Sequence, residues 1–309
     1  MARRRWNSLS RVKNHPSASS QPARPGSPLD SSGWLLAPAA LWGGCFFLVP
    51  LLIVLLVSFA TRGVHGGVVW QFTLANYGEL LHPIYIVIFV QSLAYAAVTT
   101  CLCLVIGFPF AYFIARAPRH LQSIWLLVIL VPFWTNFLVR TYAWMFLLRA
   151  EGLFNGWLLH WGLIDEPIQM LYQPVAVLIG LVYGYLPFMV LPLYVACERL
   201  DPTLIDAARD LYAGRMATFR RVIWPLVKPG VVAGSLLVFI PAVGAFITPD
   251  LLGGARTMMI GNLIQHEYLV VRDWPLGSAL SFILMALVIL LLRGYFRVDR
   301  RLSLPQVSQ

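Results

Sequence analysis

The chain has 309 residues, 59% of them hydrophobic and 12% charged, with a formal net charge of +10 and a mean hydropathy of +0.74. That balance excludes an ordinary soluble domain and points to an all-α protein of the membrane. The basic excess is not interleaved with aromatic side chains outside the membrane flanks, so it does not imply a nucleic-acid partner.

In chain order, residues 1–32 are rich in Ser, Pro, Arg and Asn and read as a disordered cytoplasmic tail. A span needs about 20 apolar residues, and six stretches qualify: 34–60, 86–114, 122–148, 173–197, 230–252 and 276–296. The first is too long for a secretory signal core and lacks a small-residue cleavage site, so it reads as an anchor. Residues 33–298 then form one six-helix membrane unit, followed by a short cytoplasmic tail at 299–309.

Of the 23 Lys and Arg residues, 18 lie in 1–33, 115–121, 198–229 and 293–309. Those segments fall on one side of a six-span chain, so the positive-inside rule places both termini in the cytoplasm. Cys45, Cys101, Cys103 and Cys197 fall in or at the end of spans and read as buried thiols rather than a disulfide or zinc framework. The prolines Pro132, Pro187, Pro192 and Pro241 interrupt spans, which suits helices lining a path. Gly180-x-x-x-Gly184 and Gly230-x-x-x-Gly234 permit close helix approach.

The loop 198–229 carries the most information. Asp201 is a good N-cap, and Pro202 stands where a first-turn proline is tolerated. Leu204, Ala208 and Leu211 recur at i, i+4, i+7, and Met216, Phe219, Ile223 and Leu226 repeat a similar stripe. Pro225 and Pro229 end the pattern. Two short amphipathic helices on the cytoplasmic side need a cover, either the membrane surface or a partner protein.

Asp206-Ala207-Ala208 followed by Ile223-Trp224-Pro225-Leu226 resembles the "EAA" loop of ATP-binding-cassette importer permeases. Four further segments are similar to spermidine/putrescine-type permeases: Asn76-Tyr77, Val131–Asn136 with Leu138–Trp144, Pro249–Gly254 running on to Asn262, and Arg272–Pro275. The resemblance covers roughly residues 34–297. It implies the type I importer permease (MetI-like) fold in a bacterial inner membrane. It also implies docking of the loop, through Asp206, Ala207, Ala208, Gly214 and Pro225, onto separate ATPase subunits, of which there would be two. Further implied partners are a second, homologous permease and a soluble solute-binding protein. Two departures stand out: Tyr212 where the family usually has Gly, and Ala245 where relatives often carry Glu.

There is no phosphate-binding G-x-x-x-x-G-K-[ST], no H-E-x-x-H and no G-x-S-x-G, and the six histidines are scattered. The chain reads as a non-catalytic subunit with no bound cofactor or metal, and ATP with Mg would sit on the partner. A gradient-driven carrier would need ionisable residues deep in its spans, and these spans are nearly free of acids. The candidate solutes are a polyamine such as putrescine or spermidine, or an aminophosphonate, ferric iron or an amino-acid-like solute.

Candidate path residues follow from charge and aromaticity. Arg140 in the third span either faces the path or partner permease, or snorkels and binds carbonyls. Trp134, Tyr142 and Trp144 form either an interfacial belt or a substrate cage. Asp250, Glu267 and Asp273, with Tyr268 and Trp274 near them, offer carboxylates to a cation or are solvated loop charges.

Overall fold

The computed structural model describes residues 33–302 and is almost entirely helical. Helix α1 spans Gly33–Ser58, and the described residues divide into two units between Pro50 and Leu51. The expected tails at 1–32 and 303–309 lie outside the described residues, while 299–302 continue the last helix.

Within the second unit, a two-residue hairpin pairs β1 (Thr61–Arg62) with β2 (Val68–Val69) and precedes the short α2 (Ala75–Glu79). This ladder departs from the all-helix reading only in a loop. Helix α3 (Pro83–Arg116) runs unbroken for 34 residues, about 51 Å at 1.5 Å per residue. Helices α4 (Arg119–Trp134), α5 (Phe137–Leu148) and α6 (Leu153–His160) follow, then α7 (Pro174–Glu198), α8 (Pro202–Asp210) and α9 (Arg215–Thr218). Beyond them come α10 (Trp224–Val243), α11 (Ile260–His266) and α12 (Trp274–Leu302). Among the described residues, five helices are long and apolar enough to cross a membrane, and the bent pair Arg119–Trp134 with Phe137–His160 makes a sixth where it counts as one span.

Large apolar side chains such as Val87, Val90, Val105, Phe110 and Phe113 remain exposed along α3, as expected where lipid is the solvent. The buried core falls into three clusters. At the end bearing the basic loop, hereafter the basic end, Ala111, Ile114, Cys197, Ile205, Ile223 and Val227 join α3, α7, α8 and α10. At the far end, Ile88, Ala96, Ala242, Ile260, Leu263 and Ala279 join α3, α10, α11 and α12. Leu148, Val177, Leu181, Ala245, Leu252 and Met259 form the third cluster, around α5, α7 and the 245–259 segment.

Close helix contact rests on glycine. A Cβ at Gly230 would lie 2.5 Å from Ala196 Cβ and 2.8 Å from Pro192 O, and one at Gly234 would lie 2.8 Å from Met189 Sδ, so the second Gly-x-x-x-Gly seats α10 on α7. In the first motif only Gly180 is crowded, by Leu252 and Thr248, whereas a Cβ at Gly184 would make an ordinary contact with Phe137 at 3.6 Å. The thiol reading needs correction as well: Cys103 and Cys197 are buried, but Cys45 and Cys101 are exposed.

Two spans differ from expectation. The third, expected as one helix over 122–148, breaks at Thr135–Asn136, where Arg119–Trp134 and Phe137–His160 meet at 89°. Pro132 weakens the ladder before the break, and Asn136 caps the next helix by accepting from the Leu138 amide at 2.8 Å. The fifth span, expected over 230–252, instead runs from Arg215 to Val243. A π turn at Phe219–Ile223 joins α9 to α10, so Pro225 falls in the first turn after a shifted hydrogen-bond register and does not stop the helix.

Helix α8 begins as expected, with the Thr203 amide donating to Asp201 Oδ1 at 2.9 Å. It ends on a Schellman pattern: the Ala213 amide donates to Ala208 O and the Tyr212 amide to Arg209 O. Tyr212 is the residue that must turn left-handed, and its φ is +57°. The bend therefore survives without the glycine that such a position favours. Tyr212→Gly is expected to remove about 1 kcal/mol of backbone strain, seen as a higher thermal transition of the purified protein. A lowered transition would mean that the tyrosine ring contributes more than its backbone costs.

A cleft between two broken helices and a loop that faces outward

The break in the third span is closed by side chains. The freed Pro132 carbonyl accepts from Thr135 Oγ1 at 2.7 Å and from Arg140 Nη1 at 3.4 Å. Arg140 is only 8% exposed. Its guanidinium lies 5.1 Å from the Phe133 ring, 5.3 Å from Phe137 and 5.8 Å from Tyr183, while its Nε has no hydrogen-bond partner. Desolvated cation–π contacts are worth up to about 2 kcal/mol each, which offsets part of the cost of a charge at this depth. Arg140 thus combines the carbonyl-binding reading with a place on the cleft.

The fifth span ends beside it. After Gly244 the chain continues without helix to Phe246, then a π turn over Pro249–Gly253. The Phe246 carbonyl accepts from Asn262 Nδ2 at 2.7 Å as well as from the Asp250 amide at 3.0 Å, and the Tyr185 hydroxyl donates to Pro241 O at 3.2 Å. Gly261 lets these segments cross: a Cβ there would lie 2.5 Å from Gly244 O and 2.7 Å from Ala245 O.

Between the two breaks lies an open cleft of about 460 Å³ lined by Phe133, Thr135, Phe137, Arg140, Gly184, Tyr185 and Phe188. A smaller recess of about 150 Å³ shares Phe137 and Tyr185 with it and reaches Ala245 and Phe246. Irregular backbone at membrane depth is tolerated where it lines a cavity, and paired helix breaks mark binding sites in transporters. Among the described residues lining the cleft and recess, Arg140 alone is charged.

The other candidate path residues lie apart from this cleft. Trp134 (79% exposed) and Tyr142 face outward from the bundle. Trp144 packs on Phe154 and Tyr183 instead. Asp250 is exposed on its π turn. Glu267 and Asp273 do come together at the far end, near the base of α12. Arg62 Nε stands 3.9 Å from Asp273 Oδ2, Arg62 Nη2 donates to Val271 O, and Asp273 Oδ1 caps α12 by accepting from Leu276. Glu267 is 7% exposed.

Burial pushes the Glu267 carboxyl above the ordinary carboxylate range, with Asp273 adding to the rise and His266 opposing it. The fold therefore favours the protonated acid. The resulting stabilisation is complete below the unfolded carboxylate pKa and is lost as pH rises through the folded value. Glu267→Gln is accordingly expected to raise thermal stability at about pH 8 and to leave it unchanged near about pH 4. An equal change at both would assign the effect to packing.

The loop at the basic end divides into a seated face and an outward face. Ile205 and Ala208 are buried, so Ala208 fastens α8 to its own bundle and does not belong to the outward set. Asp206, Ala207, Gly214 and Pro225 are exposed. Beside them Leu204 (46%), Leu211 (82%), Tyr212 (97%) and Met216 (76%) form an uncovered apolar crest. The expected 204/208/211 stripe is thus split between two faces.

Comparison with known proteins identifies the scaffold. Residues 107–304 match the model of the binding-protein-dependent transport system inner membrane component family. The chain belongs to that family. The permease is 46% identical over 262 residues to the spermidine/putrescine transport system permease protein PotB of Salmonella typhimurium, covering 85% of this chain and 91% of that protein. The Escherichia coli protein of the same name is 45% identical, with 85% and 95% covered. The permease fold also matches a chain of a bacterial alginate importer, with a TM-score of 0.69 at 15% identity over 88% of this chain and 97% of that one. A chain of the MetNI methionine transporter aligns at a TM-score of 0.52 and 18% identity, covering 73% and 99%. The permease is therefore the inner-membrane component of a binding-protein-dependent transport system.

The cleft aromatics Phe133, Phe137, Tyr185, Phe188 and Phe246 escaped sequence reasoning. In an apolar span a phenylalanine facing a cavity is indistinguishable by type or spacing from one facing lipid. Pro132 and Asn136 were the only local signal of where the cavity opens.

Proposed function

We infer that this permease carries a polyamine such as putrescine or spermidine into the cytoplasm. The observation that carries this reading is the 46% identity extending over 91% of a spermidine/putrescine permease. The cleft supports it in kind, since Phe133, Phe137, Tyr185 and Phe188 offer ring faces to alkylammonium groups. The carboxylates of Asp250, exposed on its π turn, and of Asp273 at the far end would draw cations toward it.

In this reading both termini are cytoplasmic and the far end faces outward. A solute-binding protein docks on the outer loops. A second, homologous permease completes the path. Two ATPase subunits, which hold the ATP and Mg, grip Asp206, Ala207, Gly214, Pro225 and the apolar crest. The chain itself binds no cofactor and does no catalysis. ATP binding and solute favour different global states, and the loop transmits the difference.

A second reading keeps the transporter and changes the solute to an aminophosphonate, ferric iron or an amino-acid-like compound. The observation favouring it is that the cleft carries Arg140 and places Ala245, not an acid, in its recess. Uptake of labelled putrescine and spermidine, in cells lacking other polyamine importers, decides between the two. Loss of uptake on deleting this gene, unrelieved by competing aminophosphonate or amino acids in the intact strain, supports the polyamine. Unchanged uptake overturns it and leaves the permease class standing.

A further inference from the structure

A guanidinium occupies the kind of site that would hold a transported cation. Arg140 is more than nine-tenths buried, and among the described residues its guanidinium makes one hydrogen bond, a long one to Pro132 O. Its Nε is buried without a partner. What surrounds it is an aromatic box of Phe133, Phe137 and Tyr183. Phe133 and Phe137 also line the open cleft. The same two rings therefore serve a resident cation and border the space through which a solute would pass. That single hydrogen bond spans the 89° break in the third span, because Pro132 lies on one side of it and Arg140 on the other.

We propose that Arg140 is a resident cation that latches the break until a substrate ammonium displaces it from the faces of Phe133 and Phe137. The proposal rests on the polyamine reading. Two cations cannot share these faces without mutual repulsion in a site of low dielectric. An ammonium entering the cleft weakens the hold of the rings on Arg140. The guanidinium withdraws, Pro132 O loses that donor, and the angle between α4 and α5 is free to change. Thr135 still covers the carbonyl, so release leaves no orphaned acceptor. Arg140 would thus make the path respond to the charge of its cargo, and an uncharged solute of the same size would leave the latch closed.

The test uses the assembled transporter, with its ATPase, second permease and binding protein, in proteoliposomes. ATP hydrolysis is measured with and without spermidine-loaded binding protein, alongside uptake of labelled spermidine. Arg140→Gln, which removes the resident charge, is expected to raise substrate-free hydrolysis at least about fivefold, the lower end of typical coupling between sites. Stimulation by loaded binding protein should shrink correspondingly. Arg140→Lys, which returns a cation to the box, should reverse much of that rise. If both variants instead lower assembly and uptake without raising substrate-free hydrolysis, Arg140 is a brace and the latch is wrong. Should Arg140→Gln fail to assemble, Phe137→Leu carries the same expectation, because it removes one face of the box and keeps the charge. Wild-type liposomes that respond to another solute but never accumulate spermidine would overturn the polyamine reading and, with it, the ammonium as the displacing group. Spermidine uptake by the wild type with unchanged substrate-free hydrolysis in the variants overturns the latch alone.

Discussion

Lysine in place of Ala207 is expected to abolish solute uptake while leaving the permease in the membrane at its normal level. Ala207 lies on the outward face of α8, whereas Ile205 and Ala208 hold the helix to its own bundle. A longer, charged side chain at 207 therefore extends from the exposed face of α8, away from Ile205 and Ala208. It meets whatever covers the crest of Leu204, Leu211, Tyr212 and Met216. An unpaired charge forced into a protein interface costs about 2–5 kcal/mol, enough to push uptake below about a tenth of normal. Asp206→Lys should act in the same direction, since it reverses a charge on the same face and replaces the pair with Arg209 by a repulsion. Transport assays normalised to membrane-inserted protein check both variants. Near-normal uptake by either would remove α8 from the coupling role.

Gly230→Val is expected to do the opposite, damaging the fold rather than the coupling. The crowding begins at the Cβ, with Ala196 Cβ at 2.5 Å and the Pro192 carbonyl at 2.8 Å, and one of these neighbours is backbone. Overpacking of this kind costs about 1–3 kcal/mol or more, and α10 would be lifted from α7 along the core of the basic end. The expected readout is a lower thermal transition and a lower yield of purified permease. Gly156→Ala is the control, because a Cβ there meets nothing within 4 Å. If the two variants were equally stable, glycine contact would not be what seats these helices.

Sequence and structure agree most closely where one physical signal dominates. Hydropathy alone located the bodies of the spans. Capping chemistry located the start of α8 at Asp201–Pro202 to the residue. The break at 135–136 was harder because apolar character runs through it without interruption, and only a proline and a capping asparagine betray it. Pro225 misled for a related reason. A proline stops a regular helix, but the π turn before it has already displaced the hydrogen bond that proline would have removed. Ala208 has the type and spacing of a docking residue, and only the packing of Ile205 and Ala208 together reveals which way α8 is rolled. The aromatic cleft depends on which faces of α5 and α7 meet open space, and that follows from packing between distant segments.

The continuity of the helix from Arg215 to Val243 has a mechanical consequence. Its 29 residues make a rod about 44 Å long. One end lies under the outward crest at the basic end, and the other stops at the recess beside Ala245. A flexible linker between crest and span would absorb a small displacement as slack. A rod transmits it. A shift or rotation imposed at Arg215 must reappear at Gly244, where the helix ends and the cleft wall begins. The π turn at 219–223 and the prolines Pro229 and Pro241 are the irregular points along its length, so the stroke delivered to the cleft is set by how stiff the helix is there.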